Sequence, residues 1–417
     1  MQAVKKKLIV IGGGAAGFFC AVNAAAGNKY LQVTIIEKSS KWLSKVRVSG
    51  GGRCNVTHDC NSIAEMVKKY PRGHSFLKRA FHHFFTTDTI WWFQSRGVAL
   101  KTEADGRMFP VTDSSETIIE CLLHEANKNA VDILMNRDVV AVETANAGYK
   151  ITCRDGATFE ADFVCIACGG YPKPAQYHWL QSLGHAIEDP VPSLFTFNVP
   201  NDPVSALMGI TVEEAQVKIN GTRLSQQGPL LITHWGFSGP AVLKLSAFAA
   251  IELARVHYDF HITINWLPEY NENTILKKLR AIRNEWGARK VGGKNIFGLP
   301  QRLWDYLLSQ SNINGEMRWS DLPAKQQNLL AKQLCAQQFH VRGKTTFKEE
   351  FVTAGGIDLN EIDAQTMQSK KHANLFFAGE ILNVDGITGG FNFQHAWTSG
   401  WLAAQEIKRK CLQGEDQ

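Results

Sequence analysis

Leu8–Gly17, LIVIGGGAAG, runs four apolar residues into a glycine turn and then into small residues that open an amphipathic pattern. The periodicity predicts a buried strand over Leu8–Ile11, a turn, a helix, and a second strand in QVTIIEK, residues 32–38. Gly12, Gly14 and Gly17 form G-x-G-x-x-G between strand and helix, and Glu37 closes the second strand 20 residues beyond Gly17. That is the full βαβ context of a dinucleotide site, not an isolated glycine match. Gly12 permits the tight turn, Gly14 lets the backbone approach a pyrophosphate, and Gly17 lets helix and strand pack closely. Ala15 and Ala16 sit at the helix mouth, where unpaired N–H groups and the positive dipole end meet phosphate. The Glu37 carboxylate suits ribose hydroxyls and repels a 2′-phosphate, and Lys38 beside it is a further cofactor-binding candidate. The same terminus has the outline of a signal peptide, three lysines before an apolar run. The strand–turn–helix–strand reading also accounts for the residues after Ala26, which a signal peptide does not.

The far end of the chain repeats the pattern. Residues 375–397, LFFAGEILNVDGITGGFNFQHAW, read as a buried strand ending at Gly379–Glu380, a loop, and a helix opening at about Gly389–Asn392. An acidic residue at such a strand end can hold the ribitol of a flavin, and the helix N-terminus can face the flavin's pyrimidine edge. There the helix dipole stabilises the negative charge of reduced flavin. NAD has no ribitol and needs no such second lobe, so the cofactor is expected to be FAD. Gly379, Glu380, Asp385, Gly389, Gly390, Phe391 and Asn392 are the candidates here. Asp385 reads as binding the ribityl chain or shaping the loop, not as transferring protons, and His395 reads as a packed or capping histidine.

With 417 residues the chain has room for two or three domains, and its 44% hydrophobic and 20% charged residues are those of a soluble globular protein. Nine scattered cysteines fit a reduced, cytoplasmic protein better than a disulfide framework. Cys165 and Cys168 make a C-x-x-C inside the buried-strand pattern FVCIACGG, where residues three apart point to opposite faces, so neither a redox pair nor a metal site is expected. No segment offers the roughly 18 uncharged apolar residues of a membrane span. The aromatic run FHHFFTTDTIWWF, residues 81–93, reads as the core face of a helix.

The chain resembles the YhiN/BaiN type of bacterial FAD-dependent oxidoreductase. LIVIGGGAAG, SGGGRCNVT, CIACGGYPKP, HWGFSGPAVLKLS, FVTAGGIDLNEID and LFFAGEILNVDGITGGFNFQHAW match, in the family's order, across nearly the whole chain. The resemblance implies an α/β fold: a Rossmann-like, glutathione-reductase-like FAD domain split in sequence, with inserted β-barrel and helical subdomains. The boundaries fall at 1–192 and 341–417 for the FAD halves, 193–268 for the barrel and 269–340 for the helices. Alternating segments such as EAQVKING and YDFHITIN agree with the barrel. A helical pattern from about Glu269 to Gln338 agrees with the helices. The resemblance adds Val139, Gly169 and Gly170 to the cofactor candidates. After CIACGGYPKP the chain departs from the family with AQYHWLQSLGH, so contacts in that loop do not carry over. A second G-x-G-x-x-G is missing, because VGGKNIFGLP (291–300) follows no strand. A nicotinamide donor, NAD(P)H, would therefore visit the flavin transiently.

In the resembling family SGGGRCN lies along the FAD. Here that stretch is Ser49–Asn55: Gly50, Gly51 and Gly52 read as backbone pressed on the cofactor, Arg53 as a pyrophosphate partner, and Ser49 and Asn55 as cofactor or loop contacts. Cys54 has two readings, a thiol giving a proton beside the flavin or a small buried residue. The family position of His234 in HWGFSGP implies that it faces the substrate. These two are the catalytic candidates.

The resemblance implies two substrate classes, uridine in ribosomal RNA, reduced to dihydrouridine, and conjugated small molecules of the bile-acid type. Both reactions deliver hydride to an electron-poor C=C conjugated to a carbonyl. A third reading is a flavin-stabilised RNA-binding protein without turnover. The net charge is +6, and between Glu272 and Asp305 eight basic residues face three acidic ones. An RNA backbone needs that excess and a steroid does not, so ribosomal RNA is the expected partner, with no membrane and no protein partner inferred.

Overall fold

The computed structural model describes residues 5–145, 148–346 and 352–413. Contacts divide the chain into two units, Met1–Ser193 with Lys348–Gln417, and Leu194–Phe347.

The first unit is built on a five-stranded parallel sheet. Its strands are β1 (Lys6–Ile11), β2 (Leu31–Ile36), β3 (Asp132–Leu134), β4 (Phe163–Ile166) and β5 (Leu375–Phe377), in the order β5–β4–β1–β2–β3. The four residues Leu8–Ile11 and all of β4 and β5 are buried, as strands covered on both faces must be, which explains their unbroken apolar runs. Helix α1 (Ala15–Ala25) joins β1 to β2, and α2 (Glu116–Lys128) precedes β3. The chain then reverses to the other side of β1, so the crevice at the strand carboxyl ends opens between β1 and β4, where ligands of such sheets bind. The closing helix α3 (Phe391–Gln413) packs on α1, and a Cβ on Gly400 would stand 2.6 Å from the Ala16 carbonyl oxygen. A separate antiparallel pair, Ile187–Pro192 with Thr353–Ile357, closes this unit, and Ser193 N donates to Val352 O at 2.8 Å. Phe351, the first residue of the FVTAGGIDL motif, lies outside the described residues.

The second unit holds a seven-stranded antiparallel sheet. One edge strand is Gln337–Arg342 and the other is Lys344–Thr345. Only Gly343 separates them, so the sheet curls until its edges nearly meet, the geometry of a barrel. Helices Glu272–Glu285, Gln301–Gln310 and Ala324–Cys335 share one apolar core with this sheet through Leu279, Trp304, Leu307 and Leu334, so barrel and helices form one body instead of separate subdomains. The helical pattern read to Gln338 stops at Cys335, and the alternating QQFHVR that follows is a barrel strand. The strand Lys344–Thr345 still belongs to this unit, past the boundary expected at 341.

Candidate cofactor site at the strand ends

Four loops meet at the carboxyl ends of β1, β2, β4 and β5. Gly12 has φ +114°, and a Cβ there would lie 2.4 Å from the Ala167 carbonyl oxygen, so glycine is needed where β1 and β4 part. A Cβ on Gly17 would lie 2.0 Å from the Gly12 carbonyl oxygen, which fixes how closely α1 crosses β1. Gly14 caps α1 in an extended conformation with nothing within 4 Å of its Cβ position. Among the described residues the N–H groups of Gly14, Ala15, Ala16 and Gly17 have no backbone or side-chain acceptor, as the first turn of a helix leaves them. An open glycine and four donors at a helix N-terminus fit a diphosphate.

Glu37 does more than the sequence reading assigned to it. It accepts from Gly13 N at 2.8 Å and from both Ser39 N and Ser39 Oγ at 2.8 Å, so it shapes the glycine loop while leaving acceptor capacity for ribose hydroxyls. Lys38 is exposed, its Nζ 5.3 Å from the Tyr171 ring centroid. Beyond β4, Gly169 takes φ +77° with open space around it, and a Cβ on Gly170 would meet Thr353 Oγ1 at 2.5 Å and Glu380 Oε1 at 3.1 Å. Glu380, following β5, accepts from Thr353 N at 2.9 Å and pairs with Lys45 Nζ at 2.5 Å. Val139 begins the strand Val139–Ala145 and is buried.

The SGGGRCN stretch departs from its reading at Arg53 and keeps one of the two readings of Cys54. The helix Ser44–Gly52 breaks at Ser49, and Gly50, Gly51 and Gly52 take φ +58°, +70° and +85°. Gly51 and Gly52 have nothing near their Cβ positions among the described residues, so their left-handed backbone favours glycine and, as at Gly14, the space beside them is open. Arg53 is not held out for a pyrophosphate: Nη1 pairs with Glu103 at 2.6 Å, Nε donates to Gly50 O at 3.3 Å, and the guanidinium stacks 4.0 Å over Phe109. The Glu103 hydrogen bond raises its pKa further, so Arg53 ties the glycine turn to its neighbours. Cys54 sits at φ +60° with its N–H on Ser49 O, and protein atoms alone seal it completely. Burial pushes the thiol up to about 12, which leaves it a protonated packing group with no face toward a cofactor or substrate.

Asn55, with its amide turned to suit its neighbours, donates to Thr57 O at 3.0 Å and accepts from Gly390 N at 2.9 Å, clasping this stretch to the loop before α3. Three more contacts reinforce the clasp. Thr57 Oγ1 donates to Gln394 at 2.6 Å, Trp397 Nε1 donates to Val56 O at 2.9 Å, and His58 Nδ1 bonds Gly389 O at 3.1 Å while its ring stacks on Phe391. Sequence reasoning passed over His58, although it directly follows the motif.

Asp385 takes the loop-shaping role of its two readings. It is fully sealed by protein, where Arg72 Nε donates to it at 2.6 Å and the Ser193 hydroxyl donates to its second oxygen. Burial raises its pKa and the Arg72 charge opposes that rise, so Asp385 anchors the loop instead of reaching a ribityl chain. Nothing local in the sequence pointed to Arg72 or Ser193. Asn392 spans the same loop, its amide bonding Gly386 N at 2.8 Å and Gly386 O at 2.9 Å. Gly389 and Gly390 take φ +131° and +90°, Phe391 is buried, and the N–H groups of Phe391, Asn392 and Phe393 lack acceptors among the described residues. Gly379 takes φ +74° above Ala16. His395 Nε2 donates to Gly379 O at 3.1 Å, and burial pulls its pKa down to about 4, so it is a neutral packed histidine. His234 belongs to the second unit, exposed at the turn after Ser225–Thr233 with its ring edge-on to Trp235.

The HI0933-like protein Rossmann domain matches residues 6–406. The chain belongs to that family. It is 30% identical to the ribosomal RNA dihydrouridine synthase of Escherichia coli (strain K12), over 96% of this chain and 97% of that protein. To the 3-dehydro-bile acid delta(4,6)-reductase of Clostridium scindens it is 28% identical, over 95% of this chain and 97% of that protein. The open conformation of a flavocytochrome c3 fumarate reductase superposes with TM-score 0.51 at 15% identity, covering 98% of this chain and 79% of that one, which shows a shared fold. Family and fold together make this chain an FAD-dependent oxidoreductase, and the open glycine cradle fits the cofactor. Among the described residues no helix is long and apolar enough to cross a membrane.

Proposed function

We propose that this family member reduces uridine in ribosomal RNA to dihydrouridine. The observation that carries the reading is the 30% identity to a ribosomal RNA dihydrouridine synthase, end to end in both chains. FAD bound at the strand ends, once reduced, would supply a hydride for one carbon of the uracil C=C, and a proton would complete the neighbouring carbon. Gly14, Ala15, Ala16 and Gly17 give backbone donors to its diphosphate, Glu37 takes the adenosine ribose, and the start of α3 places N–H donors at the flavin's pyrimidine edge. Gly50–Gly52, Gly169, Gly170 and Glu380 border the same crevice, with Ser49, Asn55 and Asn392 holding its loops. His234 is the proton-donor candidate that remains once Cys54 is sealed. NAD(P)H serves as the transient donor, and a ribosomal substrate places the enzyme in the cytoplasm.

The second reading, reduction of a small conjugated ketone, draws on the bile-acid reductase relative and uses the same hydride chemistry. Deleting the gene in its host and mapping dihydrouridine across large-subunit ribosomal RNA by mass spectrometry separates the two. One site is expected to lose its two-dalton gain and to regain it with the wild-type gene but not with Gly14→Leu. An unchanged map overturns the RNA reading and leaves conjugated ketones, assayed by flavin reoxidation. Restoration by Gly14→Leu, in a form shown to lack FAD, would support an RNA-binding role without turnover.

A further inference from the structure

The segment Met66–Thr87 contains no aspartate or glutamate, yet it carries Lys68, Lys69, Arg72, Lys78 and Arg79 together with His74, His82 and His83. Its helix His74–Phe81 is sharply two-sided. Phe76, Leu77, Ala80 and Phe81 are buried, while His74, Ser75, Lys78, Arg79 and the following His82 are exposed. At helical spacing the outward residues form two rows, His74–Lys78–His82 and Ser75–Arg79–His83. Among the described residues Lys69, Lys78 and Arg79 have no carboxylate within ion-pairing distance, whereas Lys68 pairs with Glu65 and Arg72 is spent on Asp385. In the basic region of the second unit Lys277, Lys278, Arg280 and Lys294 have no ion pair among the described residues, and the other four cations are engaged. Arg283 donates to Ser320 O, Lys290 pairs with Glu316, Arg302 donates to Ala206 O, and Arg289 stacks on Trp286.

The same segment is bolted to the loop that opens α3. Ile387 N donates to Lys69 O at 3.0 Å, and Tyr70 Oη donates to Phe391 O at 2.6 Å. A Cβ on Gly73 would touch Val384 at 2.6 Å, and Arg72 holds Asp385. The segment that carries these cations is thereby fixed to the loop assigned to the flavin edge. Resting on the RNA reading above, we propose that Lys69, Lys78 and Arg79 form a phosphodiester-binding surface that holds the RNA strand next to the reacting uridine. A lipid headgroup layer fits this face poorly, because an interfacial helix turns apolar side chains outward and here all four are buried in the unit's core.

The test uses the purified full chain with FAD bound and an in vitro transcribed fragment of large-subunit ribosomal RNA. Binding is measured between 50 and 200 mM salt for wild type and the double variant Lys78→Gln, Arg79→Gln, in which each substitution removes the neutralisation of about one phosphate. The variant is expected to keep its flavin absorbance, bind RNA about tenfold more weakly at 100 mM salt, and show a log–log salt slope shallower by about 2. Equal affinity and slope in both proteins overturn this surface while leaving the RNA reading standing. Wild-type protein that binds no RNA overturns both. Vesicles of phosphatidylglycerol serve as the competing probe: loss of vesicle binding in the variant with RNA binding intact assigns the face to a membrane and overturns the proposal.

Discussion

At Cys54 the backbone holds a side-chain-bearing residue in left-handed space, a cost of order 1 kcal/mol that the surrounding loop must offset. The side chain then packs inward, and its family position alone gave no sign of that. Cys54→Ala is expected to retain FAD and to turn over within about threefold of wild type, with about 1–2 kcal/mol lost in urea unfolding. A hundredfold fall in turnover would return the thiol to the reacting atoms. Asp385→Asn removes the buried carboxylate that the part-buried Arg72 pairs with, and a loss of about 3 kcal/mol is expected by the same measurement. His395 gives a pH signature. Its folded pKa lies near 4, below the 6.5 of an unfolded histidine, so the unfolded chain binds the extra proton. Its contribution is therefore complete above pH 6.5 and falls by about 3 kcal/mol as pH drops to 4. Unfolding free energies for His395→Gln should show a correspondingly flatter acid limb.

Among the elements, the crossing of α1 and α3 is the tightest. Gly400 brings the helices close enough that a Cβ would stand 2.6 Å from Ala16 O and 3.1 Å from Cys20 N. Gly400→Ala must push α3 away, which is expected to cost about 1–3 kcal/mol and to lower bound flavin per chain, because Ala16 belongs to the N-terminal turn of α1. Unchanged stability and flavin content would mean that the crossing relaxes without disturbing the cradle. The aromatic run 81–93 shows how an apolar pattern can mislead. It is not one helix but the end of His74–Phe81 and the start of Thr86–Gln94, with Asp88 accepting from Phe85 N at 2.7 Å across the break. Trp91 is 67% exposed as a result. The Thr86–Thr87–Asp88 start was a readable helix signal that the density of aromatics obscured.

At the scale of the whole molecule, the chain leaves the first unit and re-enters it at neighbouring points, since Ser193 N bonds Val352 O. Replacing residues 194–347 by Gly-Gly-Ser-Gly is therefore expected to leave a folded protein that binds one FAD per chain and has lost turnover. A product that folds without FAD would mean that the cofactor needs the second unit. The strand–turn–helix–strand at the first end, the strand–loop–helix at the other and the glycine spacing within each are legible in the chain order, because they depend on periodicity and backbone freedom within about 30 residues. Which way the side chains of the motifs face follows from long-range packing. Arg72 meets Asp385 across 313 residues and Thr57 meets Gln394 across 337, so the burial that seals Cys54 and Asp385 and the carboxylate that claims Arg53 arise from contacts no local pattern encodes. The same long-range packing fixes the segment that carries Lys69, Lys78 and Arg79 to the flavin-edge loop, because β5 and α3 must return to the sheet that β1 began.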